Sequence, residues 1–190
     1  MVGESSEVLP AVGDTRVNSS TDVCWYAMYT RSRHEKKVEL QLQEKGIESY
    51  LPKQRVLRRW SDRRKWVEEP LFRCYIFIHV NAKDRLRALQ TYGSVRIVSF
   101  NGRPAVVSDI EIERIKRILN EIETVQSCPP VSEGDIVEIV RGPLKGIRGR
   151  LEELRDNMRI VVEVESIHQA LRFNIDGLDV RVVKKFNKDK

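Results

Sequence analysis

Residues 67–80 read VEEPLFRCYIFIHV, and the stretch CYIFIHV within them is a strong strand signal. Alternation along such a strand hides one side of it, so Phe77 reads as core as readily as surface. Phe72 and Tyr75 are of opposite parity and face the same way only if the strand begins between them. Upstream, Val23 to Thr30 (VCWYAMYT) is a short apolar and aromatic run without helix signals, which suits a central strand. Ser32 and Glu35 have capping-box spacing and Val38 and Leu42 follow four apart, predicting a helix over 33–45 that Gly46 stops. Ile47 to Leu57 is strand-like. Downstream, Asn81 caps a helix carrying Leu86 and Leu89 with Arg85 and Arg87 outward. Val95 to Phe100 returns as a strand, and Asn101-Gly102 signals a turn. Ser108 and Glu111 repeat the capping-box spacing ahead of Ile112, Ile115, Leu119 and Ile122. The order predicts an α+β sandwich, a largely antiparallel sheet with helices packed on it.

Between the strand-like segments lies a basic arm, RVLRRWSDRRKW (55–66), holding Arg55, Arg58, Arg59, Arg63, Arg64 and Lys65 against the single acid Asp62. With Ser61 and Asp62 at the turn it reads as a β-hairpin, and Trp60 and Trp66 set flat faces beside guanidinium groups. Such an arm suits phosphate tracking or base stacking, while the plainer reading is a charged hairpin that deters edge pairing.

The segment ETVQSCPPVSE (123–133) has a Pro pair that cannot continue a helix, marking a domain boundary. Beyond it, strands are expected near 135–141, 147–155, 158–164, 169–175 and 178–183, with turns at Arg155-Asp156-Asn157 and Asp176-Gly177. Five short strands in so few residues predict a small barrel. The organisation expected is a flexible extension over 1–22, a first domain over 23–122, a linker over 123–133, a second domain over 134–183 and a basic tail over 184–190.

The charge of the 190-residue chain, +6, is unevenly spread: residues 24–122 carry 21 basic and 12 acidic groups, residues 134–183 only 8 and 9. One unit faces a polyanion and the other does not. Cys24, Cys74 and Cys128 form no CxxC pair, which excludes a zinc ribbon or disulfide framework and favours a reducing cytoplasm. No apolar run is long enough for a membrane span. His34, His79 and His168 lie in different elements without metal-ligand spacing, and GxSxG is absent, so no enzyme, cofactor or metal is expected.

The stretch GDIVEIVRGPLKGIRGRL (134–151) resembles a KOW motif: Asp135 to Val140 alternates, Gly142 and Pro143 turn the chain, and Gly146 and Gly149 permit positive φ or close backbone approach. GPLKG lacks the G-K-S/T ending of a phosphate loop. Trp25-Tyr26, EPLFRCYIF (69–77), Arg103-Pro104-Ala105 and Ser108-Asp109, in that order ahead of the KOW-like stretch, resemble the N-terminal (NGN) domain of NusG-family transcription factors, most of all the specialised RfaH and UpxY-like paralogues. Arg73 and Cys74 stand where that family commonly has Pro and a small residue. The resemblance implies an NGN-type antiparallel sheet with flanking helices followed by a five-stranded SH3-like KOW barrel. It implies a monomeric cytoplasmic antitermination or elongation factor that docks the clamp helices of RNA polymerase. Tyr29, Phe72, Tyr75, Phe77 and Phe100 are then the docking candidates. Arg58, Arg59, Arg63, Arg64, Lys65, Arg85 and Arg87 are the candidates for non-template DNA or nascent RNA, with a ribosomal protein or Rho as the KOW partner. A ribosome-associated KOW protein that binds RNA is the alternative.

Overall fold

The computed structural model describes residues 22–60, 62–154, 157–175 and 178–186. Strand β1 (Cys24–Thr30) is the centre of the first sheet, as its apolar run requires. It pairs antiparallel with β5 (Tyr75–Val80), with β6 (Ser94–Ile97) and, at Trp25 and Tyr26, with β9 (Val106–Val107). Strand β2 (Glu48–Tyr50) pairs on the outside of β5. The register sets Tyr26 opposite Ile78 and Met28 opposite Ile76, and this face packs with Val38 and Leu42 of α1 (Glu35–Glu44) and Ala88 of α2 (Ala82–Leu89). Ala27 opposite Phe77, and Trp25 opposite His79, look the other way, where α3 (Asp109–Glu121) contributes Ile112, Ile115 and Ile118.

Three local expectations change. The residue capping α1 is His34, with no side-chain bond, and Glu35 is buried, where it accepts the backbone N–H of Cys74 at 2.8 Å instead of completing a box with Ser32. The strand expected over 47–57 breaks at Leu51-Pro52, where proline has no N–H for a ladder. Its second half, β3 (Lys53–Arg59), pairs with β4 (Arg64–Pro70) as a separate hairpin that takes Val67 to Pro70 with it. Asn81 and Ser108 do cap α2 and α3, and the Asn-Gly turn joins β7 (Ser99–Phe100) to β8 (Arg103–Pro104) with Asn101 at φ +49 and Gly102 at φ +77.

The remaining strands, β10 (Gln126–Cys128), β11 (Ile136–Ile139), β12 (Arg148–Leu154), β13 (Asn157–Val164), β14 (Gln169–Asn174) and β15 (Val180–Lys184), form one antiparallel sheet in the order β10-β14-β13-β12-β11-β15. All five expected strands are present. The sixth, β10, lies inside the expected linker and ends just before the Pro pair. Among the described residues no ladder joins β10 to β15, so the closed five-stranded barrel is replaced by an open six-stranded sheet. The extension 1–21, Ser61, the turn residues 155–156 and 176–177, and the tail 187–190 lie outside the described residues.

Candidate functional site

On the α3 side of the first sheet, Tyr29 and Tyr75 of β1 and β5 remain partly accessible. Tyr29 and Tyr75 are cross-strand partners, half-buried, with ring centroids 5.2 Å apart in edge-to-face contact. The nearby Cys74 thiol raises the Tyr29 phenol above its ordinary pKa. Cys74 itself has φ +65, so β5 begins only at Tyr75 and the parity conflict between Phe72 and Tyr75 disappears. Phe72 and Phe77, at 1% and 0% exposure, belong to the core and meet edge-on at 6.3 Å. Phe77 also stacks on Tyr50 at 6.4 Å. Phe100 is 42% exposed, and its ring edge meets His168 at 5.1 Å. His168 stands just before β14, so the five docking candidates divide between an accessible pair, a buried pair and a residue contacting the second sheet.

That contact is one of several. The apolar cluster under α3 continues without a break into Val137, Ile139, Ile160, Val162 and Phe173 of the second sheet. The Arg117 guanidinium donates to the carbonyls of Pro143 and Lys145, and the Ser166 hydroxyl donates to Glu111 at 2.6 Å. Burial at this seam pushes the Glu111 carboxyl above its usual pKa, against the opposing pull of Ser166 and Arg114 and with Glu165 adding to the rise. The charged form of Glu111 is thus disfavoured where the sheets meet, and the contact tightens as pH falls. Pro143 and the positive-φ residues Gly142 and Gly146 shape the turn that Arg117 grips, while Gly149 is in β12.

The β3–β4 register sorts the basic candidates by face. Arg59 lies opposite Arg64 and Leu57 opposite Trp66, and these side chains share one side with Arg55, whose guanidinium is 5.9 Å from the Trp66 ring. Leu57 and Trp66 are 45% and 57% exposed, so this side offers apolar and aromatic surface between cations, while Trp60, 54% exposed, stands at the turn beyond the ladder. The opposite side carries Arg58 and Lys65. Arg58 forks onto Glu69 with bonds of 2.8 and 2.7 Å, which holds the Glu69 carboxyl below its ordinary range. Arg63, near the tip, stands 3.7 Å from Asp62 and 6.0 Å from the Trp60 ring. Arg85 and Arg87 are elsewhere, on α2: Arg85 covers Tyr26 at 5.1 Å, and Arg87 bonds the Lys45 carbonyl and pairs with Asp84.

A group not apparent from the sequence surrounds Tyr92, which is 57% exposed. Lys37 and Arg31 stand 4.9 and 5.6 Å from its ring, and the His34 ring is 5.8 Å away. Gly93, at φ +99, lets this loop close on α1, since a Cβ there would stand 3.0 Å from Val38 Cγ2 and 3.1 Å from His34 Cβ. Among the described residues no three His, Cys, Asp or Glu side chains gather to hold a metal ion, and no helix is long and apolar enough to cross a membrane.

Residues 23–116 match the family model described as transcription termination factor NusG. Among solved structures, one described as domain interaction in Thermotoga maritima NusG matches with TM-score 0.52 and 23% identity, over 87% of this chain and 100% of that one, and supports the fold. A structure of the MjSpt4:Spt5 complex in conformation B aligns at 17% identity and TM-score 0.31, over 86% and 99% of the two chains. No curated protein matches the sequence.

Proposed function

We propose that this chain, whose residues 23–116 match the NusG family model, is a specialised antitermination factor of the RfaH/UpxY-like kind. On this reading residues 23–122 bind the clamp helices of RNA polymerase through the face that carries Tyr29 and Tyr75, and suppress pausing or termination in selected operons. Residues 134–183 act as a KOW domain that recruits a protein partner, because their near balance of 8 basic and 9 acidic groups gives little long-range attraction for a polyanion. The observation that carries the reading is the half-buried Tyr29–Tyr75 pair, which leaves aromatic surface accessible beside a finished core. The seam at Glu111, Arg117 and Phe100 keeps the second sheet against the same side of the first domain, so the sheets part when polymerase is engaged.

Tyr75→Ala should weaken binding of the full chain to purified RNA polymerase by about 2 kcal/mol, roughly 30-fold in Kd, with little change in melting temperature. An unchanged Kd in the folded variant removes this face from the interface. Wild-type chain that binds ribosomes and not polymerase would favour the ribosomal alternative.

In the elongation complex the Trp66 side of the hairpin contacts non-template DNA or nascent RNA, helped by Tyr92 and its cations. Replacing Arg59 and Arg64 by Gln should lower the log-log salt slope of oligonucleotide binding by about one unit per lost phosphate contact. Arg58→Gln, whose guanidinium is already forked onto Glu69, should change it less. Equal slopes for all three proteins would mean that these charges only solvate the hairpin.

A further inference from the structure

Arg73, one of the residues that depart from the family pattern, lines a cleft of about 470 Å³ between the start of α1 and the base of the hairpin. Its walls bring four cations together: Arg33 and Lys36 from the α1 side, Arg73 from the turn before β5, and Arg58 from β3. The convergence is enforced by the buried Glu35, whose carboxylate accepts the Cys74 N–H at 2.8 Å and ties the α1 start to the Arg73-Cys74 turn. Both ends of the tie are conformationally unusual, with Arg33 at φ +62 and Cys74 at φ +65. Such backbone is held where the surrounding structure over-determines it.

The charges in the cleft are unequally matched. Arg58 forks onto Glu69, and Arg73 and Lys36 also act on that carboxylate at longer range, holding it ionised. Lys36 Nζ donates to the Glu68 carbonyl at 2.6 Å and makes no ion pair among the described residues. Among the described residues neither Arg33 nor Arg73 has a carboxylate within ion-pair distance. Arg33, Lys36 and Arg73, outside any ion pair among the described residues, thus line a concave space together with the Arg58–Glu69 pair and with Glu35, whose carboxylate is bound to the Cys74 N–H, and no aromatic side chain lines it to hold a base. Guanidinium forks fit phosphate oxygens bidentately, and an ammonium adds a point charge.

The geometry points to this cleft as a binding site for a pair of adjacent phosphate groups, recognised through Arg33, Lys36 and Arg73. The phosphates come either from a nucleic-acid strand running past the hairpin base or from the polyphosphate of a free nucleotide. Only the strand source rests on the nucleic-acid reading above.

The test uses the full chain, inorganic pyrophosphate and a labelled oligothymidylate, and compares wild type with Arg33→Gln/Arg73→Gln, with Lys36→Gln and with the hairpin control Arg59→Gln/Arg64→Gln. Equal melting temperatures establish that the variants are folded. Pyrophosphate should shift the amide resonances of Arg33, Lys36 and Cys74 in wild type and in the hairpin control, with about tenfold weaker binding in the two cleft variants. The double cleft variant should also lower the oligonucleotide salt slope by about two units. A lowered slope without a pyrophosphate response identifies a strand as the source. A pyrophosphate response lost in the cleft variants, with the slope unchanged, identifies a free nucleotide. Pyrophosphate shifts that persist in both cleft variants, or no change in either measurement, overturn the site. Neither measurement uses polymerase, so failure of polymerase binding leaves this result standing.

Discussion

Phe77→Ala should cost about 4 kcal/mol of stability, because a fully buried ring is removed from between Phe72 and Tyr50 and the strands on either side cannot collapse into the space. Chemical denaturation of the full chain measures it. The result separates Phe77 from Tyr75, two positions apart on one strand and on one face: loss of the first destabilises the fold, whereas on the proposed reading loss of the second weakens polymerase binding at unchanged stability. A Phe77→Ala protein that kept wild-type stability would mean that the ring is not core, and would return it to the docking surface. Phe77→Leu, which keeps most of the apolar volume, should recover much of the loss.

Gly149→Ala carries the second large effect. A Cβ at this position would stand 2.6 Å from the Val161 carbonyl oxygen and 2.7 Å from Ile160 Cγ1, so the β12–β13 pairing must shift to admit a methyl group. Overpacking against backbone should cost about 3 kcal/mol, a fall in melting temperature of ~10 °C for a chain of this size. Gly142→Ala is the comparison. There the backbone is at φ +77 and nothing lies within 4 Å of the added carbon, so only the left-handed conformation is penalised, by about 1 kcal/mol. Similar melting temperatures for the two variants would show that β12 and β13 do not approach so closely.

Both effects show where the sequence was legible. The apolar run of β1, the CYIFIHV run and the Asn81 and Ser108 caps depend on neighbours within a few residues, and each element formed where that local chemistry placed it. The Ser32 box failed because Glu35 found a partner 39 residues away, the Cys74 amide, in a buried setting where an N–H left unpaired would be costly. In the same way Glu111, spaced to complete a box with Ser108, receives the Ser166 hydroxyl from the second sheet instead. The Pro pair predicts a linker over 123–133, but the residues just before it are drawn into β10 by pairing with β14, which no local signal announces. The unbroken apolar run of β1 marks it as a central strand without revealing what covers its two faces. The Tyr92 group was illegible for a similar reason: its cations, Arg31 and Lys37, come from around the start of α1, far upstream in the sequence, and Gly93 holds the loop close enough for them to meet.

The core that runs unbroken from Trp25 and Phe77 through α3 to Val137, Ile160 and Phe173 also has a thermal corollary. Parting the two sheets bares apolar surface to water, which raises heat capacity, and the free energy of opening therefore curves with temperature. The hydrophobic part of that seam weakens on cooling, while conformational entropy favours the open form on warming. The closed arrangement is tightest at an intermediate temperature, and chilling opens the seam by a different route from heating.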